Sequence, residues 1–475
     1  MCQWISRLVA VAVFLATPAA SIAEDIAVRS LNEDENRAIG GIEESEVLAT
    51  VAFLASDEMA GRNTPSTELD IAAAYVAARF RGAGLEGLGP DGSFYQTTEL
   101  TQFAMPEGEA TVLAAGQSIT STGVLFGGAA EVSVTATTTD GKVPADAAGK
   151  IVVLDEIPLP PQAVDNPMML LATWSRRLAP LANDKAAAIL VRVADDSILP
   201  EAIRRMKDKP ISLPPQFMIS CPVVLIPAEV LLDGEVTVKA PARKNLATPV
   251  RNVIGVLRGS DPELARQAII ITAHLDHIGR LSGDRQGDVI NNGADDNATG
   301  VTGVVMLADA FAQLKARPGR SVVFMTFWGE EKGLLGSKYF ADHPLWALDQ
   351  TVANINLEMI GRPEAGAENK AWGTGWNHST LGEQMAAGAA RADVTIFHHD
   401  EFSEMLYARS DNYSFVKKGV IAHSFSAGSL HSDYHQPGDE ISKLNIPHMT
   451  QIIKGLFAGS LPIAHGELTP QKSDE

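Results

Sequence analysis

The stretch SVVFMTFWGEEKGLLGS, residues 321–337, runs an apolar segment directly into two adjacent carboxylates, Glu330 and Glu331. Val, Phe and Met without a polar alternation read as a strand buried on both faces, the pattern of a parallel sheet in an α/β protein. The texture recurs on either side of it. QAIIITAHLD (267–276) precedes it, TVANINLEMIG (351–361) follows, and TGVVMLADAFAQLKA (302–316) between the first two has the length of a helix. Strand–helix–strand order at this spacing predicts a mixed, largely parallel sheet flanked by helices.

Each of these strands ends in polar residues that do not suit a core. The first ends at His274 with Asp276 two further on, the second at Glu330 and Glu331, and the third at Glu358. Open α/β sheets carry their ligand site at the carboxyl ends of the strands, so these groups converge on one edge. Two loops add to them. NNGADDNATG (291–300) carries Asp295 and Asp296, and HSDYHQPGDE (431–440) carries His431, Asp433, His435 and Asp439. A surface charge network does not fit acids that follow buried strands. A lone acid–base pair does not need so many carboxylates, and gathered like charges repel without a cation. A divalent metal removes that repulsion. Imidazole with carboxylate suits zinc, and the absence of cysteine from the set points to a catalytic rather than a structural site.

The pieces AHLDHIG, NNGADDNATG, WGEEKGLLGS, INLEMIGR and DYHQPGDE, in that order, resemble the co-catalytic zinc aminopeptidase family. That family includes bacterial leucyl aminopeptidases, aminopeptidase Y, glutamate carboxypeptidase and the glutaminyl cyclases. FLASDEMAGR (53–62) and GAGL (82–85) are similar to its opening helices. The resemblance implies two zinc ions, with His274, Asp295, Glu331, Glu358 and His435 as ligands. It makes Asp295 the carboxylate shared by both ions, with a cis Asp295–Asp296 peptide. It makes Glu330 the general base and Asp276 the residue that orients His274. Glu358 stands where the family often has Asp. His277 is expected to be structural, His398, His399 and Asp400 to lie in an exposed loop, and Asp411 to support the site.

Between 105 and 250 the texture changes to short alternating runs rich in Ala, Val, Thr and Pro, such as ATVLAAG, AGKIVVLDE and PVVLIP. They predict a strand-rich module, and it contains no histidine. The module is similar to the protease-associated domain that some family members carry as an insertion. The expected organisation is therefore a signal peptide over 1–23, the N-terminal part of a catalytic domain over 24–104, the insertion over 105–250, and the catalytic zinc peptidase domain over 251–475. Residues 24–41 read as a loose leader. Helical spacing follows, with Val47, Leu48, Val51 and Leu54 on one face and Ile71, Tyr75, Val76 and Phe80 on another.

Composition bounds the partners. The chain has 475 residues, 45% hydrophobic and 20% charged, with a net charge of −20. That net charge argues against nucleic acid or an anionic membrane as partner, and the resemblance implies a peptide substrate. Arg7, the apolar residues 8–16 and the small residues Ser21-Ile22-Ala23 form a secretory signal, so export to the periplasm or medium is expected. No later segment has the roughly 18 apolar residues of a membrane span. Cys2 leaves with the signal, and Cys221 remains alone as buried packing.

The reading is an exported dinuclear zinc exopeptidase that removes N-terminal residues from peptides. A carboxypeptidase or dipeptidase of the same fold stays open, with Arg362 or Arg409 to hold a substrate carboxylate. So do a glutaminyl cyclase-type acyltransferase and a non-catalytic peptide-binding relative.

Overall fold

The computed structural model describes residues 26–473 except 105–108, 129–131, 140–145, 157–166, 184, 207–218, 231, 233–234 and 282–285. The signal-peptide reading falls outside these residues.

The main sheet has nine strands among the described residues. In chain order they are β1 (Glu86–Gly87), β2 (Tyr95–Ala104), β3 (Lys244–Leu257), β4 (Ala268–His274), β5 (Ser321–Phe327), β6 (Thr351–Leu357), β7 (Lys370–Gly373), β8 (Thr395–Phe397) and β9 (Ala422–Ser426). Across the sheet they run β1-β3-β5-β4-β6-β9-β7-β8, with β2 on β3. The central strands β5, β4, β6 and β9 are parallel, and β3 and β7 join them antiparallel. The fold is thus mixed α/β with a largely parallel centre. Every residue of β4 and β5 is buried, which is why their sequences run Ile-Ile-Ile and Val-Val-Phe without alternation.

Five helices matter for the site: α1 (Glu33–Gly40), α2 (Glu44–Leu54), α3 (Thr67–Gly82), α4 (Gly300–Ala312) and α5 (Ile446–His465). Helix α4 is mostly apolar and almost wholly buried, because it lies between the sheet and other helices, with Asp309 at its edge paired to Arg79. The expected faces of α2 and α3 need correction. In α3 the buried stripe is Leu69, Ala72, Ala73, Val76, Ala77 and Phe80, whereas Ile71 is 46% exposed; in α2, Leu48 is 44% exposed. In α3 three alanines share the buried stripe with Leu69, Val76 and Phe80, while the buried face of α2 is Val47, Thr50, Val51 and Leu54. The expected loose leader is also different. It contains α1, whose Asn32 and Glu35 form a reciprocal capping box, with buried Glu35 also bound by Arg29.

Among the described residues, a second sheet of eight strands lies between Thr111 and Ala240, with hydrophobic clusters of its own. The chain leaves the main sheet through β2 and returns through β3. These pair antiparallel from Lys244 opposite Ala104 to Val253 opposite Tyr95. Residues 244–250 therefore belong to the main sheet, and the expected boundary at 250 falls inside β3.

Cys221 is buried in the second unit's core, and burial pushes its thiol up to about 11. Only about one thiol in a thousand would ionise at pH 8, and the thiolate is the reactive form. A thiol reagent is expected to label Cys221 only after denaturation. Stoichiometric labelling of the folded protein at pH 8 would contradict the burial.

Candidate metal centre

Strand register creates the centre. His274 closes β4 opposite Phe327 of β5, and Thr272 pairs with Asn356 of β6, which puts Glu358 level with His274. Glu330 and Glu331 follow β5 past a Gly329 turn. His435 comes from the loop after β9, and the irregular turn Ala294–Thr299 before α4 enters between them. Both His435 and Met359 have left-handed backbone, at φ 56° and 49°. Such conformations are uncommon for residues other than glycine and need the surroundings to hold them.

Two groups of donors result. In the first, His274 Nε2 lies 3.0 Å from Glu358 Oε1 and 3.2 Å from Asp296 Oδ1. In the second, His435 Nε2 lies 3.1 Å from Asp296 Oδ2 and 3.2 Å from Glu331 Oε2. His277 joins the second group, its Nδ1 2.8 Å from Glu331 Oε1. Asp296 thus faces both groups, one oxygen to each.

The expected shared carboxylate, Asp295, does not take this place. Its Oδ1 accepts the Gly361 N–H at 2.8 Å and its Oδ2 lies 3.4 Å from His431 Nε2. The turn directs the second aspartate inward and ties the first to the loop after β6. The cis peptide is Asp296–Asn297, one residue beyond the expected bond. Asn297 fastens the turn by donating to the Leu357 carbonyl and accepting from Gly300 and Met359 N–H.

Asp276 also acts through a different atom than expected. The His274 Nδ1–H donates to the Asp276 backbone carbonyl at 3.0 Å, while the nearest carboxylate oxygen is 3.9 Å away. That carboxylate accepts from the Glu330 N–H and the Thr64 hydroxyl instead. It fixes the backbone from which Glu330 projects. The bond at Nδ1 leaves Nε2 of a neutral His274 as a lone pair aimed at Glu358 and Asp296. Glu358 has its Oε2 engaged by the Ser410 hydroxyl at 2.6 Å, so Oε1 is the oxygen that faces His274.

The donor set fits a divalent metal. Asp296 Oδ2, Glu331 Oε1, His435 Nε2 and both nitrogens of His277 are buried without a hydrogen-bond partner. Asp296 Oδ2, Glu331 Oε1, His435 Nε2 and His277 Nδ1 approach one another closely but face shared space, which satisfies a cation better than it satisfies the donors themselves. Oxygen and imidazole nitrogen without sulfur suit zinc.

The electrostatics are those of a crowded acidic pocket. Burial pushes Glu330 well above the ordinary carboxylate range, against the pull of His274 and with the push of Glu331. Burial opposes ionisation of Asp296, yet the imidazoles of His274 and His435 beside it hold it well below that range. Asp411 is fully buried nearby and burial pushes it up to about 7. Two residues without an assigned role in the motifs balance the site. Asp439 accepts the backbone N–H groups of Asp295 and Asp296. Arg62, 1% exposed, donates to the carbonyls of Leu54, Leu275, Asn292 and Gly293. Burial lowers Arg62 to about 10, with Asp276, Asp296, Asp439 and Glu331 opposing, so it stays charged at pH 7.

Other candidates lie apart. His399 stacks on Phe402 and meets Trp372 at a tilt, and His398 lies 3.7 Å from the exposed Asp400. Arg362 pairs with Asp433 at 2.9 Å and contacts His431 Nδ1. Arg409 is exposed and lines a cleft of about 600 Å³ beside the first donor group, whose walls include Trp372, Leu406, Leu430 and Tyr434.

Residues 252–458 match the model of peptidase family M28. A probable zinc metalloprotease of Pyrenophora teres f. teres is 37% identical over 117 residues, 24% of each chain. Aminopeptidase YwaD of Bacillus subtilis is 26% identical over 249 residues, 49% of each. The chain therefore spans a quarter to a half of these curated relatives. The solved aminopeptidase from Aneurinibacillus sp. strain AM-1 has the same fold, with a TM-score of 0.53 at 18% identity over 90% of this chain and 96% of that one.

Replacing Asp296 by Ala is expected to weaken metal binding by more than about 100-fold, since even indirect supports of a ligand are worth 10–100-fold. Asp295→Asn keeps the oxygen that accepts from Gly361 and should retain its metal. Metal analysis after dialysis separates them, and the reverse result would restore Asp295 as the shared carboxylate. Arg62→Met should lower stability by about 3–5 kcal/mol, because it strips a buried cation from four acids and four carbonyls. Denaturant melts that superimpose on the wild type would refute that role.

Proposed function

For a chain whose residues 252–458 match the model of peptidase family M28, we propose an exported, dinuclear zinc aminopeptidase. The observation that carries this reading is the two-faced Asp296, between His274 with Glu358 on one side and His435 with Glu331 on the other. These five residues would hold two ions. Zinc bound there supplies Lewis acidity, polarising a peptide carbonyl and making water easier to deprotonate.

The chain's own groups do the rest. Glu330 projects from a backbone pinned by Asp276 and lines the cleft beside the donors. Its carboxylate takes a proton from the attacking water and delivers it to the leaving amine, so the peptide C–N bond breaks as the new C–O bond forms. Its raised proton affinity suits a base, once cations offset the repulsion from Glu331. The apolar cleft walls accept the side chain of the residue to be removed and exclude water around the scissile bond. Of the two arginines considered for a substrate carboxylate, Arg362 is already engaged by Asp433. Arg409 lines the cleft and stays open to a substrate carboxylate, so the preference for a free amine rests on the likeness to the Bacillus subtilis aminopeptidase. We read the unit between Thr111 and Ala240 as a protease-associated insertion, and residues 1–23 as a removable export signal. No helix among the described residues is long and apolar enough to cross a membrane.

Glu330→Gln should keep the zinc content of the wild type and lose about 10²–10⁴-fold or more in kcat, the usual worth of a general base. Aminoacyl anilides with free amines should be cleaved and their N-acetylated forms left intact. Cleavage of blocked peptides at a free C-terminus would replace the aminopeptidase reading with a carboxypeptidase one. Full activity in Glu330→Gln would remove the base assignment.

A further inference from the structure

His277 is the residue whose surroundings the proposed mechanism leaves unexplained. It is fully buried, and neither ring nitrogen has a hydrogen-bond partner. A buried polar group without a partner is unfavourable by kilocalories, so such a ring is expected to have a ligand. Its Nδ1 lies 2.8 Å from Glu331 Oε1 and 3.7 Å from Asp296 Oδ2, off the direction a hydrogen bond to either would need. Its ring stands edge-on to that of His435, with centroids 5.5 Å apart. One donor atom from each of His277, Asp296, Glu331 and His435 falls within 4.8 Å of all the others.

The fold builds this position on purpose-shaped backbone. The His277 N–H donates to the Arg62 carbonyl, which seats the loop after β4 against residues 60–62. Gly293, at φ 57°, presses on the ring from the other side. A Cβ there would come within 2.5 Å of His277 Cγ, so any side chain at 293 would displace the imidazole. Ring, glycine and loop fix Nδ1 facing Glu331.

We infer that His277 is a direct ligand of the ion held by Asp296, Glu331 and His435. This rests on the zinc peptidase reading and deepens it. The half of the centre at His435 then has four protein donors, His277, Asp296, Glu331 and His435. The half at His274 has three, His274, Asp296 and Glu358, and opens on the cleft. Four protein donors close a tetrahedral zinc shell, whereas three leave a position for substrate or water. The two ions are therefore unequal, and the ion at His435 is the harder to remove.

The test uses the full chain loaded with zinc or cobalt. His277→Leu places a methyl where Nδ1 stood, and His277→Asp places an oxygen there. In dialysis against graded chelator, the wild type should keep one ion where the other is lost. The Leu variant should lose that retention by more than about 100-fold, beyond the effect of an indirect support, and the Asp variant should recover most of it. A folded Leu variant that holds both ions like the wild type overturns the inference. A second measurement needs no variant. In the cobalt-loaded wild type, proton NMR should show shifted, exchangeable ring N–H signals from His274, His435 and His277. Signals from His274 and His435 alone overturn the inference but leave the peptidase reading intact. A wild type that binds no zinc overturns both.

Discussion

Negative charge held out of water is the constraint on which the rest of the structure depends. Asp276, Asp295, Asp296 and Asp439 are buried beyond the ends of adjacent strands and in the loops around them, with Glu330 and Glu331 beside them. Carboxylates brought together at low dielectric repel strongly, and each must find hydrogen bonds or cations. The fold meets this with fixed dipoles and one fixed charge. Asp276 takes the N–H of Glu330, Asp295 that of Gly361, and Asp439 those of Asp295 and Asp296. Arg62 supplies the buried positive charge behind them. The remainder of the charge faces His274, His277 and His435, which is where divalent cations are proposed.

This arrangement links distant parts of the chain. Arg62 sits just beyond the turn that follows α2, yet its guanidinium fastens carbonyls of α2, of the loop after β4 and of the turn before α4. The backbone approach there is close. Gly61, at φ 70°, would put a Cβ within 2.3 Å of the Asn291 carbonyl, so only glycine lets the two segments meet. The N-terminal helices are thus part of the site's foundation, although they contribute none of the proposed ligands. The second sheet differs in kind. It has its own cores and contains no histidine, and it hangs from the long β2–β3 ladder.

Much of the centre was legible because strands announce their ends. His274, Glu330, Glu331 and Glu358 each stop an apolar run, and in a parallel sheet the ends of neighbouring strands must converge. What was not legible depends on backbone angles within loops. Asp295 and Asp296 are adjacent and chemically identical, and composition cannot say which turns inward. That is decided by the irregular turn, with Gly293 left-handed and Asp296 at φ −102°, ψ 91°. His277 looked like an ordinary loop residue because its burial comes from segments near 62 and 293. Ile71 and Leu48 are apolar, yet the buried stripes pass beside them, through Leu69, Ala72, Val76 and Phe80 in α3 and Val47, Val51 and Leu54 in α2.

Strand spacing explains why one carboxylate has to serve both sides. Adjacent strands lie about 4.8 Å apart, so groups from the ends of β4 and β6 meet at one point and groups from β5 at another. His274 and Glu358 come from the first pair, and Glu331 from the second. His274 at the end of β4 also comes within 4.8 Å of Glu330 and Glu331, but it has no second ligand atom to set against His435 as Asp296 does. A group facing both has to enter from outside the strand plane, and the turn leading into α4 does so. Asp439 grips the N–H groups of Asp295 and Asp296, and Asn297 ties the following residue to the end of β6. Asp296 is thereby fixed between two neighbours that the sheet keeps apart. The doubled centre is then a property of the parallel sheet and one loop, and the wider variation of such a protein can lie in the cleft walls without disturbing it.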